Sequence, residues 1–148
     1  MPQSLARLLV HLIFSTKNRE SHFADPVRRG EVHAYLAATA SHLGCPAICV
    51  GGVADHVHVV CLLGRTLSLA TFVAKLKVSS NQVAREKLSQ FSWQNGYAAF
   101  SVAESTLEAV VEYVSNQEAH HKKMTFQDEY RMFLKRHNVH FDERFIWD

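Results

Sequence analysis

Between Ala6 and Thr16 the even positions, Ala6, Leu8, Val10, Leu12, Phe14 and Thr16, alternate with odd ones that include Arg7, His11 and Ser15. Alternation of period two with one largely apolar face predicts a first strand. Asp25-Pro26 then supplies an N-cap followed by proline at the first helical position, and Val32, Leu36, Ala40 and Leu43 keep helical spacing up to Gly44. A helix is expected over roughly 26–43. The β-branched runs 46–53 and 56–63, bounded by Pro46 and Gly51-Gly52, lie close enough to pair as a hairpin. Leu69, Phe72, Val73, Leu76, Val83 and Leu88 mark an amphipathic helix whose other side carries Lys77, Asn81 and Arg85. Asn95-Gly96 predicts a turn, and Tyr97 to Val102 a strand. Ser105-x-x-Glu108 reads as a capping box opening a helix with Leu107, Val110, Val111 and Val114 as apolar positions. Thr125-x-x-Asp128 opens a last helix, packed through Phe126, Tyr130, Phe133 and Leu134. The order β-α-β-β-α-β-α-α begins with the split βαβ succession. It predicts an α+β, ferredoxin-like antiparallel sheet with helices on one face and C-terminal helices added, residues 1–148 forming a single domain without linker or repeat.

Composition agrees with a packed core: 47% of the 148 residues are hydrophobic and 20% charged. Chains of this size bury roughly 68–70% of their unfolded surface without needing staples. The apolar runs Leu8-Leu9-Val10 and Val57 to Leu63 fall far short of the ~20 residues of a membrane span, so no membrane association is expected. Met1-Pro2-Gln3-Ser4 lacks the basic start of an export signal, which points to the cytoplasm. Cys45, Cys49 and Cys61 form no Cys-x-x-Cys pair and read as small core hydrophobes of a reducing compartment. The net charge of +2 is small but unevenly placed: residues 1–100 hold 10 Lys/Arg against 5 Asp/Glu, and residues 101–148 hold 6 against 9. A polyanion should meet the first part.

Two constellations carry chemistry. In Asp55-His56-Val57-His58, strand alternation sends His56 and His58 to the same face, where both imidazoles can reach one metal ion. In Tyr113-Val114-Ser115-Asn116-Gln117, Tyr113 and Gln117 stand one helical turn apart on one stripe. Two imidazole nitrogens and one amide oxygen leave open positions on a six-coordinate Mg²⁺ or Mn²⁺, where a phosphate oxygen could bind. A tyrosine one turn from a metal ligand is placed to attack that phosphorus, and the phosphotyrosine ester would conserve the energy of the broken phosphodiester.

These residues also carry a resemblance. Asp55-His56-Val57-His58-Val59-Val60, Tyr113-x-x-Asn116-Gln117, Phe14-Ser15-Thr16-Lys17-Asn18-Arg19, Trp93-Gln94-x-Gly96-Tyr97-x-x-Phe100-Ser101-Val102 and Thr125-Phe126-Gln127-Asp128-Glu129-Tyr130 together resemble the single-tyrosine HUH transposases of bacterial insertion sequences, including their REP-associated relatives. The resemblance implies an RRM-like fold, a divalent metal on His56, His58 and Gln117, and Tyr113 as the nucleophile. It further implies nicking of single-stranded DNA beside hairpins, to leave a 5′-phosphotyrosine and a free 3′-hydroxyl, and a homodimer that commonly docks the tyrosine helix against the partner's histidines. Asn18 departs from the tyrosine more usual in the family's Lys-Tyr-Arg run.

Contacts to DNA phosphates are expected from Lys17, Arg19, Arg28, Arg29, Lys75, Lys77 and Arg85, with Lys87 beside them. His120-His121-Lys122-Lys123 reads as the basic end of a helix, favoured there by the helix dipole. Two other readings remain open at this point: a non-catalytic or domesticated nucleic-acid-binding protein on the same fold, and a zinc hydrolase in which His11 or His120 would join His56 and His58.

Overall fold

The alternating segments form a four-stranded sheet in the computed structural model, which describes residues 2–88 and 90–148. The strands are β1 (Leu9–Ser15), β2 (Ala47–Gly52), β3 (His56–Leu62) and β4 (Ala98–Ser101). Their order is β2-β3-β1-β4, and every neighbouring pair is antiparallel. Helix α1 (Pro26–His42) joins β1 to β2, and α2 (Leu69–Lys87) joins β3 to β4. Both crossovers lie on one face, as the split βαβ order requires. The period-two pattern sorts the side chains. Leu12, Phe14, Val57, Val59 and Cys61 pack with Leu36, Phe72 and Leu76 of the two helices. Asp25 caps α1, its Oδ1 accepting from Val27 N at 3.0 Å, and Gly44 ends the helix with φ +78, a conformation glycine adopts without a side-chain penalty.

The second face carries His11, Ile13, His56, His58 and Phe100, and the C-terminal part of the chain covers it. Helices α3 (Leu107–Ser115), α4 (Gln117–His120) and α5 (Phe126–Arg136) follow β4. Phe126, Tyr130, Phe133 and Leu134 of α5 close over Ile13, Ala98 and Phe100. The sheet is thus covered on both sides, and the imidazoles of β3 lie inside the protein. Thr125 caps α5 as expected, its Oγ1 accepting from Asp128 N at 3.2 Å.

Two local expectations are corrected. Ser105 does not cap a helix, because it lies inside a 3-10 turn, Glu104–Thr106, that leads into α3 with no side-chain cap. The stripe holding Tyr113 and Gln117 is not one continuous helix: it breaks at Asn116, whose φ of −107 and ψ of 29 separate α3 from α4. Ser115 and Asn116 compete for backbone hydrogen bonds and favour helix ends. The height of α3 is set by Gly51 of β2. A Cβ there would sit 2.2 Å from Val114 O, so only glycine permits the approach. No described helix is long and apolar enough to cross a membrane.

Candidate active site

His56 and His58 project from β3 with their ring centroids 5.3 Å apart, both fully buried. Each ring is held from behind. His56 Nδ1 lies 2.7 Å from Asp55 Oδ1 and His58 Nδ1 lies 2.8 Å from His11 Nε2. A third imidazole joins them from the end of α4: His121 Nδ1 donates to Met124 O at 2.8 Å. With outward acceptors on all three Nδ1 atoms, the three Nε2 atoms point inward. His58 Nε2 is 2.8 Å from Glu129 Oε1, His56 Nε2 is 3.4 Å from the same oxygen, and His121 Nε2 is 3.2 Å from Glu129 Oε2. Gln117 Oε1 completes the ring, 3.2 Å from His56 Nε2 and 2.9 Å from His121 Nε2.

This arrangement fits a metal ion. Three imidazole nitrogens, a carboxylate and an amide oxygen face one another, and such a set needs protons or a cation at its centre. His56, His58, His121 and Glu129 each offer one ligand atom within 4.8 Å of the others, so this His/Glu cluster could hold a metal. The outward contacts of Asp55 and His11 are of the kind that fix tautomer and ring orientation around a bound metal.

Protonation follows the geometry. Burial alone would push Glu129 toward its neutral form, but the imidazoles of His121, His56 and His58 packed against it outweigh burial and hold the carboxylate ionised. Burial disfavours a charged His56, yet Asp55 and Glu129 reverse that and raise it to about 9. For His58 burial wins and the shift is downward, and His11, buried beside His58, falls to about 3. Phe126 lies against the His56 ring at 4.4 Å between centroids, and Phe133 against His11 at 5.2 Å, so the cluster has apolar walls.

Tyr113 reaches this cluster from α3 within the same chain. Its hydroxyl donates to Glu129 Oε2, and His120 Nε2 stands 2.9 Å from the phenol oxygen. Burial and the neighbouring Glu129 carboxylate raise the phenol well above its ordinary value, so the proton needs an acceptor in place. The structure therefore brings His56, His58, Gln117 and Tyr113 together. It adds two residues that sequence reasoning did not place here, Glu129 and His121, and it brings in His120, beside Tyr113, and His11, behind His58, which the sequence offered only as the third nitrogen of a zinc site. Glu129 had a legible signal. It stands three residues after Phe126 and four before Phe133, a carboxylate on the apolar stripe of α5, and such a position demands buried partners. His120 and His121 are not merely a basic helix end. The third nitrogen beside the pair comes from His121, whereas His11 faces the outer nitrogen of His58.

The basic residues divide. Lys17 and Lys75 are exposed, and Arg28 is half-buried at the start of α1. Arg19 stacks over Trp147, and Arg29 pairs with Glu118 at 2.5 Å. Lys77 and Arg85 are engaged elsewhere. The Lys77 ammonium binds the carbonyls of Gln94, Asn95 and Gly96 at 2.8, 3.3 and 2.6 Å, and Arg85 Nε donates to Phe91 O at 2.8 Å. Those two side chains tie α2 to the segment before β4, the Arg85 Nη atoms staying at the surface.

A ferredoxin-like sheet holding a buried histidine and carboxylate cluster, with a tyrosine hydroxyl against it, defines an α+β domain with a candidate metal centre. Residues 4–117 match the family described as "Transposase IS200 like", and the chain belongs to that family. The family implies an enzyme that cleaves and rejoins DNA. The match ends at Gln117, so α5 and Glu129 lie beyond it. The fold is similar to that of a candidate transposase from Deinococcus radiodurans R1, with 23% identity, a TM-score of 0.62, and coverage of 79% of this chain and 95% of that one. It is also similar to a REP-associated tyrosine transposase bound to a REP hairpin, with 11% identity, a TM-score of 0.61, and coverage of 96% of this chain and 91% of that one. No curated protein matches the chain.

Proposed function

We propose that the protein is a metal-dependent HUH transposase domain that nicks and rejoins hairpin-bearing single-stranded DNA through a 5′-phosphotyrosine at Tyr113. One observation carries this reading: the Tyr113 hydroxyl and the imidazoles of His56 and His58 meet on a single carboxylate, Glu129, in one chain. His56, His58 and Gln117, with Glu129 and His121 beside them, would hold Mg²⁺ or Mn²⁺. Such an ion, when bound, polarises the scissile phosphate. In the nicking step the Tyr113 oxygen forms a bond to phosphorus as the bond to the 3′-oxygen breaks. The phenol proton passes to His120 Nε2, 2.9 Å from the phenol oxygen, and the departing 3′-oxygen takes a proton from water. Attack by a 3′-hydroxyl on the tyrosine ester reverses the sequence and rejoins the strand without ATP.

Lys17, Arg19, Arg28, Arg29 and Lys75 supply phosphate contacts in this reading. The homodimer implied by the resemblance is not required to assemble the site, since Tyr113 meets the histidines of its own chain. The test is incubation of labelled hairpin-bearing single strands with Mn²⁺ and protein. A covalent adduct is expected with wild type and none with Tyr113→Phe; an adduct that survives Tyr113→Phe rejects the mechanism. Mixing His56→Ala with Tyr113→Phe protein should restore nothing if the tyrosine acts on its own chain.

The set of three imidazoles and a carboxylate also suits zinc, which favours a second reading, a zinc hydrolase built on His56, His58, His121 and Glu129. Metal analysis and the product separate the two, because hydrolysis leaves no tyrosine ester.

A further inference from the structure

Beside Gln117 a cleft of about 740 Å³ opens between α1, β2 and the junction of α3 with α4. That is within the roughly 300–1,000 Å³ range of ligand clefts. Its walls include Arg29, His33, Asn116 and Lys122. Lys122 is exposed and forms no ion pair among the described residues, whereas Arg29 is partly neutralised by Glu118 at 2.5 Å. The cleft thus carries two cations against one acid, Glu118. The His33 Nε2 atom is buried and has no hydrogen-bond partner. Burial, with the Arg29 and His56 charges nearby, holds His33 down at about 4, so the ring is neutral and offers one donor and one acceptor. Asn116, exposed at the α3–α4 break, makes no side-chain hydrogen bond among the described residues.

We propose that this cleft is a single-stranded DNA subsite for the nucleotide beside the scissile phosphate, with Lys122 and Arg29 on phosphate and His33 and Asn116 on the base edge. The inference rests on the nicking reading, because Gln117 belongs both to the cleft wall and to the contact with His56. A buried imidazole nitrogen without a partner is unfavourable, and a base edge would satisfy it. Cations at the rim with hydrogen-bonding groups deeper inside suit a nucleotide, whose phosphate stays near solvent while its base is enclosed.

The experiment uses Tyr113→Phe protein, so that no covalent step intrudes, and fluorescence anisotropy with oligo-dT, oligo-dA, oligo-dC and a blunt DNA hairpin lacking a single-stranded extension. Lys122→Ala is expected to weaken all three homopolymers alike, several-fold, and to flatten the dependence of log K on log salt by about 0.7. The blunt hairpin should bind as before. His33→Leu is expected to even out the affinities of the three homopolymers and to leave the salt slope unchanged. Equal weakening of the blunt hairpin, or unchanged homopolymer binding in Lys122→Ala, overturns the subsite. If His33→Leu fails to fold, the exposed Lys122 still decides the matter. If wild type forms no tyrosine adduct while Lys122→Ala shows the strand-specific loss, the nicking reading fails and strand binding by the cleft stands.

Discussion

Tyr113 of α3 and Glu129 of α5 share a hydrogen bond in which the phenol donates to Oε2, while Oε1 of the same carboxylate lies 2.8 Å from His58 Nε2. One side chain therefore joins the nucleophile to the imidazole cluster. Glu129→Gln keeps the shape and removes the charge. It should lower Mn²⁺ affinity about 10–100-fold and abolish adduct formation, whereas Tyr113→Phe should abolish the adduct with Mn²⁺ binding intact. Calorimetric titration of both variants with Mn²⁺ checks this, and unchanged affinity in Glu129→Gln would separate the carboxylate from the metal.

His11 makes the second prediction. It accepts from the outer nitrogen of His58 and touches neither Glu129 nor Gln117 within hydrogen-bond distance among the described residues. His11→Phe, which can keep the packing on Phe133, should free the His58 ring and cost about 10-fold or more in metal affinity. Retained affinity would show that His11 only fills space.

Gly51 tests the placement of α3, which carries Tyr113 and leads into Gln117. In Gly51→Ala the new methyl meets Val114 O, so α3 must shift, at a stability cost of about 1–3 kcal/mol. Adduct formation should fall, and Mn²⁺ affinity should fall with it, because Gln117 follows three residues after Val114. Unchanged Mn²⁺ affinity would show that the metal is held without Gln117.

Acid should weaken the fold through His33. Its folded value of about 4 lies below the ordinary 6.5, so between these values the unfolded chain takes up a proton that the folded one refuses. The stability is present above pH 6.5 and lost as pH falls toward 4, with a slope of up to about 1.4 kcal/mol per unit. His11 acts in the same sense. Urea midpoints across this window should fall less steeply in His33→Gln than in wild type; equal slopes would contradict the assignment.

Lys75 and Lys77 lie two residues apart on α2 and should behave differently. Lys75→Ala is expected to flatten the salt dependence of DNA binding by about 0.7 per lost phosphate contact. Lys77→Ala should leave that slope alone and lower stability by about 1–3 kcal/mol, because three carbonyls lose their donor. Comparing salt titrations with thermal melts resolves the pair.

Much of this was legible in the chain. Alternation placed His56 and His58 on one side of β3, and the βαβ order gave the sheet that carries them. Glu129 was legible only as a charge out of place on the stripe of Phe126 and Phe133, since its partners come from β3, more than sixty residues earlier. His121 could not be told from a helix-end histidine, because its role depends on the turn at Met124 that orients its ring. Lys77 was expected on DNA phosphate because nothing local announces the carbonyls of Gln94 to Gly96 folding onto it. The break at Asn116 was hidden by a spacing that a continuous helix would also satisfy.

The most direct measurement is peptide mapping of protein trapped on a strand labelled on the 3′ side of the nick, in the presence of Mn²⁺. The chain has four tyrosines, Tyr35, Tyr97, Tyr113 and Tyr130. The account predicts label on the Tyr113 peptide alone, lost on chelation of the metal and lost in His56→Ala. Label on another tyrosine, or strand cleavage with no labelled peptide, would contradict it.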